Sequence, residues 1–579
     1  MTIQDYYSYT DLEQGRITHI DFDLTIDFER KAITGTSRYD LEPASVGSLF
    51  LDIDRINIFE VLAYGARIPF EVDRDDPIRG QRLHLSLPPQ TSRFEIHFET
   101  SPGASALQWL APAQTSGGTH PFLFTQCQAI QARSLFPCQD TPSVRFTYKA
   151  EIRVQTGLTA VMAAAPRQSE SGPEWDTYRF EMPQPVPSYL FALAAARLEG
   201  RDLGPRCRVY AEPTLLDAAA WEFATTEESI SVAETLLGPY EWDRYDLLVL
   251  PPSFPYGGME NPRLNFITPT LLVGDRSLVD VINHELAHAW TGNLVTNATW
   301  ADFWLNEGWT TYAERRISEV LAGVDYVQLK AAIEREEMYE LMNRFGWSSE
   351  VTKLSLNLDG QDPNEMLTQI QYTKGCEFLL RLEEACGRAE FDRFIQKYIE
   401  DFRFQSITTV QFVEFLRKEL PKAATEVDLD LWLGSPGFPE SAPPVRSRLK
   451  DVVDRQLATY SEGIALKAQD VSGWTTHQIR YFLVKLPKEI PLPDVALLEE
   501  IFNLGSSKNA YLLVPFFAVA IQSGYEAVLP RVEQFVATVG RLIFLMPVYR
   551  ALASTGWSQG QARSLFETTR SRHHPLTVS

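Results

Sequence analysis

The chain has 579 residues, of which 44% are hydrophobic and 22% charged, with a net charge of −23 and a pI of about 4.9. That length suggests about three or four domains, each able to bury a core, which excludes a disordered chain. So acidic a surface repels nucleic acid and anionic lipid, so neither is expected as a partner.

The five cysteines (Cys127, Cys138, Cys207, Cys376, Cys386) are scattered, with no CxxC pair. An odd, sparse set fits a reducing compartment and no disulfide framework. The opening MTIQDYYSYTDLEQGR lacks the basic and apolar regions of a signal peptide. The longest apolar stretch, 510–521, contains a proline and falls short of the roughly 18 residues of a membrane span. The expectation is a cytoplasmic protein.

In chain order, residues 1–198 alternate apolar and polar: HIDFDLTIDF, RLHLSL, RFEIHFET and RFTYKAEIRV all show a period of two. This reads as an antiparallel sheet domain, closed by VPSYLFALAAARLEG. Residues 199–433 read differently. CRVYAEP and RYDLLVLPPSFP are strand-like, and helical patterns run from 277 to about 420. SLVD marks a capped start, with Ser277 accepting a first-turn N–H. A second helix is expected over about 301–321. Residues 434–447, GSPGFPESAPPVRS, read as a linker. Residues 448–579 hold helical segments with short breaks, suggesting stacked antiparallel helices in a solenoid-like domain. The fold class is multidomain α+β.

The helix after Ser277 carries VINHELAHAWTGN. His284 and His288 are four apart, on one helix face, and both imidazoles can reach one zinc ion. Glu285 points about 100° round the axis from His284. That is close enough to reach an attacking water as general base, and badly placed for a ligand. A catalytic zinc needs a third protein ligand. NEGWTTYAERR offers Glu307 on the next helix. Glu314, seven residues on, either orients a ligand imidazole or faces solvent. The two-nitrogen, one-oxygen donor set on helices suits zinc best.

His284-Glu285-Leu286-Ala287-His288 followed by Asn306-Glu307-Gly308, with YGGMENP upstream at 256–262, resembles the gluzincin aminopeptidases, peptidase family M1. QCQAIQARSLFPCQDTPSVRFTYKAEI and LNFITPTLLVGDRSL are similar to its leukotriene A(4) hydrolase branch. The resemblance implies an N-terminal β-saddle, a thermolysin-like α/β catalytic domain and a C-terminal armadillo/HEAT-like helical domain. It implies one zinc per chain and short peptides with a free N-terminus as substrates, with a monomer expected. By that resemblance Glu260, with Gln128, holds the substrate's ammonium, through a charge-assisted hydrogen bond. Tyr256, Gly257, Gly258 and Met259 belong to the same substrate-binding segment, whose glycines permit close backbone approach. Tyr372 matches the donor to the tetrahedral oxyanion. Arg541 matches the arginine that grips a peptide's carboxylate; without the resemblance it reads as a surface helix residue.

Departures from the branch bear on function. An aspartate and a tyrosine that assist epoxide hydrolysis there are Asn364 and Leu367 here, and a basic residue two beyond the arginine is Ile543. Epoxide hydrolysis is thereby disfavoured as one alternative; a non-catalytic scaffold is the other, and the presence of every motif residue weighs against it. Loss of the aspartate predicts a preference for uncharged N-terminal side chains.

Overall fold

The computed structural model describes residues 5–43 and 47–573. Its first domain grows out of the period-two stretches. Strand Arg16–Asp27 buries Ile20, Phe22, Leu24 and Ile26 and leaves the residues between them partly exposed, as alternation on a pleated strand requires. This strand lies inside an eight-stranded sheet. It pairs antiparallel with Ala32–Glu42 and parallel with Arg145–Gln155. The expected antiparallel sheet is thus interrupted at one pairing, because the long excursion between 27 and 145 supplies the crossover a parallel pair needs. The closing stretch contributes Leu193–Ala196 to a four-stranded sheet.

The middle of the chain opens with a five-stranded sheet ordered Glu199–Asp202, Arg208–Ala211, Asp246–Val249, Leu264–Ile267, Gly258–Met259. Gly258–Met259 ends the sheet, antiparallel to Leu264–Ile267. Four helices of this domain position the candidate site: α1 (Asp280–Ala287), α2 (Trp304–Ala322), α3 (Val324–Phe345) and α4 (Gln369–Cys386).

Helix α1 starts three residues later than expected, and Ser277 does not cap it. Its hydroxyl instead accepts from Asn509 Nδ2 at 3.4 Å, across to the C-terminal helices. Between α1 and α2 the chain forms a short strand, Val295–Asn297, paired in parallel with Gln405–Ile407. That pairing joins residues a hundred positions apart, so no local pattern announces it.

Helix α2 is central: 14 of its 19 residues are buried, among them Trp304 and Trp309. Polar groups on such a helix must find partners inside the protein.

Residues 434–447 form neither helix nor strand, yet they are pinned: Arg335 of α3 donates to the Pro443 carbonyl at 2.8 Å. Ser447 then caps the following helix, Arg448–Ser461. The C-terminal helices include α5 (Thr476–Lys485) and α6 (Leu542–Ser554). Their apolar core takes in Leu329 and Ile333 of α3, so this domain is docked on the catalytic one through buried side chains. Helix Ala510–Gln522 is buried on nearly every side, which explains why it is apolar all round. Among the described residues, no helix is long and apolar enough to cross a membrane.

Candidate active site

Helix α1 carries His284 and Glu285, and His288 follows at its C-terminal end. Glu307 lies in the first turn of α2. The Nε2 atoms of His284 and His288 each stand 3.4 Å from Glu307 Oε2. That oxygen is buried and, among the described residues, has no hydrogen-bond partner. The far nitrogen of each ring is engaged. His284 Nδ1 meets Glu314 Oε2 at 3.0 Å, and His288 Nδ1 donates to the Thr291 carbonyl at 3.2 Å. Engaging Nδ1 in this way leaves the Nε2 lone pair for a metal. Two imidazole nitrogens and one orphaned carboxylate oxygen converge on one point, a donor set that fits zinc. Glu314 is buried, so its solvent-facing alternative fails.

Glu285, Glu260 and His288 form a second cluster on the cavity side. Glu285 packs against the edge strand so closely that a Cβ on Gly258 would lie 2.4 Å from its Oε1. Position 258 therefore admits no side chain unless Glu285 moves. Burial pushes the Glu285 carboxyl up to about 7, against the pull of His284 and His288, poising it as a base near neutral pH. Burial raises Glu260 as well. For Glu307 burial also acts upward, but His288 and His284 outweigh it and hold the carboxyl at about 2.

Glu260 is 4% exposed, and Gln128 Nε2 donates to its Oε1 at 3.3 Å. Its backbone carbonyl accepts from Asn293 Nδ2 at 2.7 Å, so the histidine motif's own tail positions this segment. Met259 Sδ accepts from Gln126 Nε2. Tyr256, 39% exposed, sits at the mouth against Phe254.

Tyr372 of α4 stacks on His284, with ring centroids 5.8 Å apart at 17°. Burial, then Glu307, raises its phenol well above the usual range, so it stays a proton donor. The approach of α4 depends on two glycines: a Cβ on Gly308 would lie 2.8 Å from Gly375 Cα. The helices touch there backbone to backbone, which sets Tyr372 beside Glu307.

Arg541 is not a surface helix residue. It is 7% exposed, at the N-terminal cap of α6. The guanidinium lies over Phe544, reaches Thr270 Oγ1 at 3.4 Å, and leaves Nε buried without a hydrogen-bond partner among the described residues. The third domain folds back onto the edge-strand loop, and that contact buries it. Ile543, two positions on, is 56% exposed.

One cavity of about 410 Å³ is lined by Gln128, Tyr256, Gly257, Gly258, Met259, Glu260, His284, Glu285, His288, Glu307, Glu314, Tyr372 and Arg541. The candidate ligands, base, oxyanion donor and substrate-binding residues named from the sequence all meet there, in a volume typical of small-ligand sites. Asn364 and Leu367 line it too. Residues the sequence reading passed over are Gln126, Ala129, Val281, Phe303, Thr311, Lys330, Glu334 and Gln369. Gln126 was readable as the near neighbour of Gln128; Lys330 and Glu334 lie on a separate helix and carry no motif.

Fold and donor set together define a metallohydrolase built on an HExxH helix and a downstream glutamate. The comparisons place it further. Residues 16–190 match the Peptidase M1 N-terminal domain, 221–432 the Peptidase family M1 domain, and 474–579 the leukotriene A4 hydrolase C-terminal domain. A leukotriene A-4 hydrolase of Xenopus laevis is 40% identical over 99% of this chain and 98% of its own. A leucine aminopeptidase 2 of Yarrowia lipolytica is 37% identical over 99% of this chain and 92% of its own. The structure of yeast LTA4 hydrolase in complex with bestatin superposes with a TM-score of 0.93, at 33% identity over 100% of this chain and 96% of that one. The chain belongs to peptidase family M1, a family of zinc aminopeptidases, and is a hydrolase.

Proposed function

We propose that this chain removes the N-terminal residue from short peptides with a free N-terminus. His284, His288 and Glu307 hold one zinc per chain, and Glu314 orients His284. When bound, zinc supplies Lewis acidity, polarising a carbonyl and bringing the pKa of water down to about 7. Glu285 takes the proton of the attacking water and passes it to the leaving amine. The Tyr372 hydroxyl donates to the oxygen that becomes negative as the carbonyl is attacked. Glu260 and Gln128 bind the substrate's ammonium, and the backbone at Gly257 and Gly258 lines up the peptide as an added strand. Arg541 binds the far carboxylate alone, since Ile543 offers no second charge.

The observation that carries this reading is Glu260. It is a buried carboxylate clustered with Glu285 and His288, and among the described residues Gln128 Nε2 is the side chain that donates to it. An unpaired buried charge is costly, and a substrate ammonium answers it. Asn364 in place of an acid supports a preference for uncharged first residues. We carry with this reading a monomeric, cytoplasmic protein without nucleic-acid or membrane partners.

A panel of aminoacyl fluorogenic substrates, assayed with and without a chelator, tests it. Release of free aminoacyl groups is expected, abolished by the chelator and restored by zinc, with N-acetylated peptides inert. Brisk cleavage of N-blocked peptides overturns the reading.

The 40% identity to a leukotriene A-4 hydrolase favours epoxide hydrolysis as a second reading. Asn364, exposed and hydrogen-bonded to Asp362, and Leu367 weigh against it. The ratio of epoxide to peptide turnover on one preparation separates the two.

A further inference from the structure

Behind the histidines, the charged groups form one connected chain with Lys330 at its hub. Glu314 meets His284 with Oε2 and Lys330 Nζ with Oε1. Lys330, on α3, also donates to Asp280 Oδ2 at 2.7 Å, and Glu334 Oε1 lies 3.8 Å away. Asp280 opens α1, one turn before His284 on the same face. Its Oδ2 lies 3.7 Å from His477 Nε2 of α5, and that nitrogen meets the Tyr326 hydroxyl at 2.8 Å. The chain of groups therefore runs from His284 through three catalytic helices into the C-terminal domain.

We propose that Lys330 is a positioning residue for the metal site: it clamps Glu314 against Asp280, so that Glu314 holds the His284 ring with Nε2 towards the metal. This role rests on the reading of His284, His288 and Glu307 as zinc ligands. A ligand imidazole is aimed by the partner of its second nitrogen. A glutamate side chain turns about three bonds, and a single hydrogen bond to a ring does not fix the plane of its carboxylate. Lys330 fixes the other oxygen, so the carboxylate plane is set at two points. The side chains of Glu314 and Asp280 are only 5% and 8% exposed. Taking away the ammonium leaves two desolvated carboxylates with no cation between them. Glu314 then swings from its place, and His284 loses its guide.

The test measures zinc affinity by competition with a chromophoric chelator on the full chain, with the melting temperature of the metal-free protein beside it. Lys330→Met is expected to weaken zinc binding about 10- to 100-fold, and Lys330→Arg to recover part of the loss. Should Lys330→Met fold poorly, the Asp280→Asn/Lys330→Met pair removes the opposing charge as well. That pair is expected to keep the metal-free melting temperature and still lose zinc. In a Glu314→Gln background, Lys330→Met should add less than about twofold, because its effect runs through Glu314. Undiminished zinc affinity in the folded pair, or full additivity with Glu314→Gln, overturns the proposal. A wild-type chain that binds no zinc overturns the zinc reading instead.

Discussion

The supporting wall and the open wall around His284, His288 and Glu307 follow opposite rules. Behind, polar groups are paired: His284 Nδ1 with Glu314, His288 Nδ1 with Thr291, Lys330 with Asp280 and Glu314. In front, charges stand open: among the described residues Glu307 Oε2 and Arg541 Nε have no hydrogen-bond partner, and Glu260 accepts from Gln128. Buried charge without a partner is unfavourable. The difference therefore separates groups that hold the site from groups that await a ligand.

Substitutions on the open wall should cost activity and spare the fold. The largest effect is expected for Glu285→Gln: kcat falls about 10²- to 10⁴-fold, while metal analysis still finds zinc in the protein. Loss of zinc with the activity would move Glu285 to the supporting wall. Tyr372→Phe comes next, raising the barrier by about 3 kcal/mol and so lowering kcat roughly 10²-fold, with KM nearly unchanged in steady-state kinetics. A matching rise in KM would mean that Tyr372 grips the ground state.

Arg541→Ala sharpens the contrast through its substrate dependence. KM for a tripeptide should rise about 10-fold or more, the range for a lost charged hydrogen bond. Aminoacyl arylamides, which lack the carboxylate, should barely change. Equal losses on both would make Arg541 a packing residue of the domain contact.

The smallest effect probes a charge on neither wall. Lys374 is buried and donates to the carbonyls of Thr352 and Ser435, at 2.9 and 3.0 Å. Burial brings its ammonium from 10.5 down to about 7. Between those values the unfolded chain holds a proton that the folded chain lacks. Stability from this group therefore grows as pH rises from about 7 towards 10.5 and is lost as pH falls back through that window, with no further change below about 7. Lys374→Met should flatten the pH dependence of the denaturation midpoint by up to about one proton. An unchanged slope would show that the carbonyls keep the ammonium charged.

Legibility in the sequence tracks chain separation. His284, Glu285 and His288 follow from one helical turn, and Glu307 from the next helix along. Glu260 and Gln128 were reachable through motif resemblance, since an isolated acid or amide carries no periodic signal. Tyr372 and Arg541 could not be chosen by spacing. One depends on the contact between Gly308 and Gly375, the other on the third domain folding back over the edge strand. Ser277 misled for the same reason: a locally sound cap was claimed by Asn509 of another domain.

By itself, then, the sequence determined the three-part layout, the strand alternation, and the helix that carries His284, Glu285 and His288. Each of these is a short-range pattern, imposed by the pitch of a helix or the pleat of a strand. Tertiary structure alone decided the parallel pairing of Arg16–Asp27 with Arg145–Gln155, the burial of Arg541, and the clamp of Lys330 on Glu314 and Asp280. These join residues far apart in the chain, and only the packing of whole elements brings them within bonding distance.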